Sequence, residues 1–309
     1  MENKNFTEGM LDYISRLNEE GRYSTAKSYQ DAWKSFTRFC GTTDIPYSYI
    51  TKGLLKKYES HLLKAGCMRN TLSTYMRRLR CIYNQAVEEG DAPYIPRLFH
   101  DVYTGIESKR KRSLPASELH KLMTVPVTKP HLRVAQLAVC LMFQYGGIPF
   151  VDFAHLKSEN LRDSQLIYFR KKTGTLMRLE VLDSSCKMSK ELSCHTHPSS
   201  PYLFPFLGGQ RKGREGYLEY KEALQRFNYQ LKALGKCANI HSPVTSYSIR
   251  HSFANLLKEQ HVPIEVISEL LGHQSIRTTQ IYLRSFNLEH LKKVTSQCFR
   301  QVYHYKGRK

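Results

Sequence analysis

Apolar residues recur at helical spacing through the first hundred positions of the chain. Phe6, Met10, Leu11, Ile14 and Leu17 share one helical stripe, and Tyr29, Trp33, Phe36 and Phe39 form a second. Thr51 is placed to cap a third helix over residues 54–63, closed near Gly66. A fourth covers residues 70–86, with Leu72, Tyr75, Met76, Leu79 and Tyr83 on its apolar side. Arg77, Arg78 and Arg80 give that helix a cationic side, although any one of them alone reads as a solvated helix residue.

The pattern then breaks. Gly90-Asp91-Ala92-Pro93 stops the fourth helix, and Glu107-Ser108-Lys109-Arg110-Lys111-Arg112-Ser113 has no apolar period. A helix restarts at Leu114-Pro115-Ala116-Ser117-Glu118, with Ser113 as its expected cap. These breaks predict a helical domain over residues 1–107, a basic linker over 108–113 and a second domain over 114–309. Beyond the linker, residues 130–145 read as a long apolar helix. Gln165-Leu166-Ile167-Tyr168-Phe169 and Leu176-Met177-Arg178-Leu179-Glu180-Val181 read as two strands joined by Lys171-Lys172-Thr173-Gly174, a hairpin. Residues 218–234, and everything after Ser246, return to helix. The expected fold class is therefore mainly α, with one small antiparallel sheet in a mixed second half.

Charge narrows the partner. Lys and Arg number 47 against 27 Asp and Glu, a net charge of +20, and the pI is about 9.6. An excess of that size seeks a polyanion, of which nucleic acid is the commonest. The eight cysteines are scattered with no CxxC pair, which suits a reducing cytosol. Cys186 with Cys194-His195-Thr196-His197 lacks a partner pair at zinc spacing, so no metal or other cofactor is expected. With no apolar run of about 18 residues and no signal-like start, a cytoplasmic protein with no membrane partner is expected.

Most of the chemical information lies in residues 246–283. Ser246 is placed to cap a helix whose Ile249, Phe253, Leu256 and Leu257 face a core, with Arg250 and His251 near its start. Helix N-termini favour phosphate, so this is where basic residues suit an anion. Pro263 opens a second helix that Gly272 ends, and His273 follows at once. Ser275 then caps a short helix carrying Tyr282. Two tight reversals thus predict that Arg250, His273 and Tyr282 come together.

This string closely resembles the second signature block of the tyrosine recombinase (phage integrase) family. There an arginine followed by a histidine opens a helix, a Leu-Gly-His segment follows, and the nucleophilic tyrosine comes nine residues after that histidine. Here these are Arg250-His251, Leu271-Gly272-His273 and Tyr282, with Ser275-Ile276-Arg277-Thr278-Thr279 as the usual lead-in. The resemblance spans residues 6–300. It implies a helical core-binding domain followed by a mixed, mostly helical DNA breaking-rejoining catalytic domain, without the arm-binding domain some integrases add. It also implies a site-specific recombinase that works through a 3′-phosphotyrosine and needs no cofactor. Tyr282 is then the nucleophile, Arg250 the phosphate fork, and His273 a donor to a non-bridging oxygen. Lys172, ahead of Lys171, is the acid for the leaving 5′ oxygen, and Asp152 buttresses the site with His251. Lys109, Arg110, Lys111 and Arg112 would follow phosphates between two DNA-binding halves.

Two departures stand out. The family's first catalytic arginine belongs to a Gly-x-Arg-x-x-Glu-Leu motif, but here Gly147-Ile148-Pro149-Phe150-Val151-Asp152-Phe153 puts Pro149 in its place. A related subgroup carries arginine just before the glycine, and that position here is Gly146. Arg133 or Arg170 could supply the missing charge; otherwise turnover is weak and an arginine restored at 146 raises it. The second departure is Tyr247, where histidine or lysine is usual; a phenol donates a hydrogen bond but carries no charge near neutral pH.

Two other functions compete: a type IB topoisomerase, and a DNA-binding regulator that kept the fold and lost catalysis. For the recombinase reading, the apolar stripe of Leu288, Leu291 and Val294 predicts a C-terminal helix that docks on the next protomer. The protein is then a monomer when free and a homotetramer on paired sites.

Overall fold

The computed structural model describes residues 4–106 and 113–283, and gives the backbone alone for Ile281 and Tyr282. The chain divides into two compact units, residues 1–109 with 212–218, and residues 110–211 with 219–309. The linker cations Lys109, Arg110, Lys111 and Arg112 and the C-terminal stripe of Leu288, Leu291 and Val294 lie outside the described residues.

The first unit is built from α1 (Phe6–Glu19), α2 (Tyr23–Cys40), α3 (Lys52–Lys64) and α4 (Arg69–Glu89). Each starts or stops where its sequence demands. Asn5 and Glu8 form a reciprocal capping box on α1, Thr51 accepts from the Leu54 N–H at the head of α3, and left-handed glycines end α2 and α4 at Gly41 and Gly90. Phe6, Met10, Phe36, Tyr58, Leu72, Met76 and Leu79 fill the core. Phe36 meets Phe6 and Tyr58 edge-on, at 6.0 and 5.1 Å between ring centres, a favoured aromatic geometry.

The second unit carries α5 (Ala116–Thr124), α6 (Pro130–Gln144), α7 (Phe150–Ala154), β1 (Leu161–Arg162), β2 (Gln165–Phe169) and β3 (Leu176–Glu180). It continues with α8 (Asp183–Ser193), the greater part of α9 (Gly213–Cys237), α10 (Ser246–Glu259), α11 (Ile264–Leu270) and α12 (Ile276–Tyr282). The hairpin forms as the alternation predicts, Phe169 opposite Leu176 and Leu166 opposite Leu179, with Leu166, Tyr168 and Met177 turned inward. The two-residue β1 adds a third antiparallel strand. α6 is buried along much of its length because α5, α8 and α10 pack around it, and Phe150 stacks on Phe227 below.

Two caps differ from the sequence reading. α5 begins after Pro115, and Ser113 lies upstream, buried, while Leu114 N–H donates to Ser252 Oγ at 2.8 Å. α10 is capped by Thr245, one residue before Ser246, in a reciprocal box with Ser248. A β-branched hydroxyl in extended backbone outcompetes the following serine because only the residue outside the helix can turn its oxygen onto the free N–H groups. Among the described residues no helix is long and apolar enough to cross a membrane.

Candidate active site

Arg250 lies on the buried side of α10 and is only 2% exposed. A guanidinium this deep needs acceptors, and two chain reversals supply them. One is the pair Gly146-Gly147, both at positive φ, which turns the chain after α6 and leaves the Gly147 carbonyl pointing inward. Arg250 Nη1 donates to that oxygen at 2.9 Å. The other is the C-terminus of α11, where Arg250 Nη2 donates to the Leu271 carbonyl and lies 3.2 Å from His273 Nε2. Carbonyls at a helix end carry partial negative charge, so a cation belongs there.

A second guanidinium reaches the same oxygen from the hairpin. Arg170, 6% exposed, ends β2 and donates through Nε to Asp152 Oδ2 at 2.8 Å. Its Nη1 donates to the Leu271 and Gly272 carbonyls. Asp152, on α7, also accepts the Lys171 N–H through Oδ1 at 2.8 Å. One carboxylate therefore holds both the base of the hairpin turn and the arginine beside it. Gly272 is required twice over: its φ is +60°, and a Cβ there would lie 2.5 Å from Met177 Sδ and 3.2 Å from Arg170 Nη1.

His273 sits between these groups. Its Nδ1 is 2.9 Å from Thr279 Oγ1 on α12. Burial, then the positive charges of Arg250, Arg170 and Lys172, push its pKa down to about 4. Near neutral pH the ring is uncharged. Nε2 faces an Arg250 N–H, so Nδ1 carries the ring proton and donates to Thr279. Thr279 is itself fully buried. The sequence reading treated it as part of the lead-in to Tyr282; its distance of six residues from His273, across a reversal, is the only linear trace of this contact.

The other expected residues fall at varied distances. Lys172 is exposed in the hairpin turn, and Gln274 Nε2 ties that turn down by donating to the Thr173 carbonyl at 2.9 Å. Tyr247 is 38% exposed and meets the His251 ring edge-on at 4.7 Å. α12 packs against α10 and α11, which brings the backbone of Tyr282 to this region of the fold; its side chain is outside the described residues. Arg133 is engaged elsewhere, with Nε and Nη2 donating to the Glu191 carboxylate at 2.8 and 3.0 Å. On α4, Arg78 lies over the Tyr29 ring and donates to Ser28, so it serves the α2–α4 seam. Arg77 folds back on Ser73 and Thr74 of its own helix, and Arg80 is half-buried. Among the described residues no cluster of His, Cys, Asp or Glu is placed to hold a metal.

Residues 112–289 match the phage integrase family, and residues 5–96 match the phage integrase SAM-like domain. The chain belongs to the phage integrase family. It is a tyrosine recombinase, an enzyme that cleaves and rejoins DNA strands. The recombinase is 27% identical over 243 residues to the tyrosine recombinase XerA of Thermococcus kodakarensis, covering 77% of this chain and 78% of that one. Its fold is that of a lambda integrase dimer bound to a core site, with TM-score 0.67 and 18% identity over 90% of this chain and 98% of the other. It is also that of a lambda integrase tetramer bound to a Holliday junction, with TM-score 0.66 and 17% identity over 93% and 80%.

Proposed function

We propose that the recombinase exchanges strands between paired double-stranded DNA sites through a 3′-phosphotyrosine at Tyr282. Arg250 grips the non-bridging oxygens of the scissile phosphate as a bidentate fork, which a lysine cannot imitate. The Tyr282 oxygen bonds to phosphorus as the bond to the 5′ oxygen breaks. Nε2 of the neutral His273 ring takes the phenol proton, and Lys172, in the hairpin turn, protonates the departing 5′ oxygen. The phosphotyrosine keeps the bond energy, so rejoining needs no ATP. Once protonated, His273 donates its Nε2–H to the phosphate, while Asp152 acts indirectly by holding Arg170 and the turn. Tyr247 and His251, packed edge to face at the head of α10, flank the DNA path.

The observation that carries this reading is the approach of Arg250 Nη2 to His273 Nε2, at 3.2 Å, two residues 23 apart in the chain. A pure DNA-binding regulator needs no buried arginine aimed at a neutral histidine. The decisive experiment uses a nicked suicide duplex carrying the site that the parent protein selects from random-sequence DNA. A covalent adduct should appear on a denaturing gel with the parent and vanish with Tyr282→Phe, which still binds. Binding without any adduct in the parent would establish the regulator instead. Relaxation of supercoils by single molecules, with no trapped four-way junctions, would establish a topoisomerase.

The proposed assembly is a monomer in free solution and a homotetramer on two sites, with residues 288–303 docking on the next protomer in a closed ring. Truncation after Asn287 should leave single-site binding intact and abolish synapsis. A truncated protein that recombines normally would overturn this assembly. Linker residues Lys109, Arg110, Lys111 and Arg112, with Arg77 and Arg80, contribute phosphate contacts, so affinity should fall steeply with salt, by a log–log slope of about 0.9 per contact.

A further inference from the structure

Residues 271–274 tie the hairpin turn to the helix that ends at Tyr282. The Leu271 and Gly272 carbonyls accept from Arg170 at the foot of the turn, and the His273 ring meets Thr279 on α12. Gln274 reaches the turn itself: its Nε2 donates to the Thr173 carbonyl at 2.9 Å, across 101 positions of sequence. On the other side of Lys172, Asp152 Oδ1 accepts the Lys171 N–H at 2.8 Å. The lysine therefore stands between two anchored peptide groups, one tied to α7 and one to the segment leading into α12.

Those anchors decide where Lys172 can reach. Its side chain is exposed on a flexible stem, so the backbone of the turn sets the range of its ammonium group. Bonds inside the turn run from the Gly174 N–H to the Arg170 carbonyl at 2.8 Å and between the Thr173 and Thr175 hydroxyls at 2.9 Å. They keep its shape and leave its direction to the anchors. Packing adds little at the tip, where a Cβ on Gly174 would meet nothing within 4 Å. The lysine is nonetheless close enough to His273 for its charge to help lower that pKa, after burial and the two arginines.

Resting on the assignment of Lys172 as the acid for the leaving 5′ oxygen, we propose that Gln274 is a positioning residue for that proton transfer. Its amide holds the turn against the segment that follows His273, so that the acid and α12 are seated by one set of contacts. A general acid must lie within hydrogen-bond reach of the atom it protonates, and a misplacement of about 1 Å costs on the order of 10²-fold. One exposed hydrogen bond restrains the turn only in part, so its loss costs less than that.

The test measures single-turnover cleavage at saturating duplex, with either an ordinary scissile phosphate or a 5′-phosphorothiolate, in which sulfur replaces the bridging 5′ oxygen. On the second duplex the Tyr282 oxygen bonds to phosphorus, the phosphorus–sulfur bond breaks, and sulfur leaves as a thiolate that needs no proton. Gln274→Ala should cleave the ordinary duplex about five- to tenfold more slowly than the parent, and the phosphorothiolate within about twofold of it. Gln274→Met keeps the length of the side chain without the donor and should behave in the same way. Lys172→Ala is the reference, with a larger loss on the ordinary duplex and the same rescue by sulfur. Equal losses of the Gln274 variants on both duplexes, beside a rescued Lys172→Ala, would make the contact a general brace and overturn the proposal alone. Full activity of those variants on the ordinary duplex would overturn it as well. A Lys172→Ala that sulfur does not rescue would show that Lys172 is not the acid, and the role of Gln274 would fall with it. A parent that forms no adduct on either duplex would remove the nucleophile assignment and both roles together.

Discussion

His273 Nδ1 lies 2.9 Å from Thr279 Oγ1, joining the residue that follows α11 to the helix that ends at Tyr282. With Nε2 facing an Arg250 N–H, this contact fixes which ring nitrogen holds the proton. It also makes the orientation of His273 depend on α12 being seated.

Thr279→Val keeps the shape and removes the acceptor. A lost hydrogen bond to a half-buried ring is worth about 1 kcal/mol, so cleavage should slow by roughly fivefold. Thr279→Ser should restore it. Nitrogen-15 NMR of the His273 ring should report the Nδ1–H tautomer in the parent and in Thr279→Ser, and a mixture in Thr279→Val. The same spectrum in all three would remove Thr279 from this role.

Acidification should act on His273 in two ways. Its folded pKa of about 4 lies below the ordinary 6.5. As pH falls from 6.5 towards 4, the unfolded chain takes a proton that the folded chain refuses, so the DNA-free protein loses stability in that window. A phosphate in the pocket offsets the neighbouring cations and raises this pKa. DNA binding should therefore take up a proton in the window between pH 4 and 6.5, and affinity should rise as pH falls through that range. Calorimetry in buffers of different ionisation enthalpy measures the uptake, and His273→Gln should abolish it; equal uptake in both proteins counts against the site.

Arg250→Lys retains charge but cannot donate to the Gly147 and Leu271 carbonyls together. Cleavage should drop on the order of 10²-fold or more. Thermal unfolding should also shift downward, because the Gly147 carbonyl loses its donor and the Leu271 carbonyl one of two. An unshifted transition would show that those carbonyls find water instead.

Gly146→Arg, expected from the related subgroup to raise cleavage, should not do so here. Position 146 has φ +68°, and a Cβ would meet Leu179 Cδ1 at 3.3 Å and the Leu270 carbonyl at 3.5 Å. A left-handed arginine is strained by about 1 kcal/mol or more. A faster enzyme would show that the turn tolerates that strain.

Much of this fold was legible beforehand because its signals are local. Phe6, Met10, Ile14 and Leu17 are spaced for a helix and all are buried; the glycine turn after Lys172 joins strands in the expected register. The cap positions at Ser113 and Ser246 were each misread, since Thr245 and Pro115 differ from their neighbours only in backbone conformation, which composition does not record.

Chemistry divides along the same line. Residue type and spacing were enough to bring Arg250 and His273 together and to put Tyr282 at the end of the next helix, because two short turns leave few ways to arrange them. The place of Arg170 was open, one of two arginines with equal claims in the linear chain. Asp152 decides between them: packing α7 against the hairpin puts its carboxylate 2.8 Å from Arg170 Nε, while Arg133 turns outward to Glu191. Thr279 was likewise only part of the lead-in to Tyr282 until the reversal after α11 carried it back to His273. Local spacing sets which side chains share a helix face, whereas which charges meet depends on how separate elements pack, and burial then sets how strongly those charges act on one another.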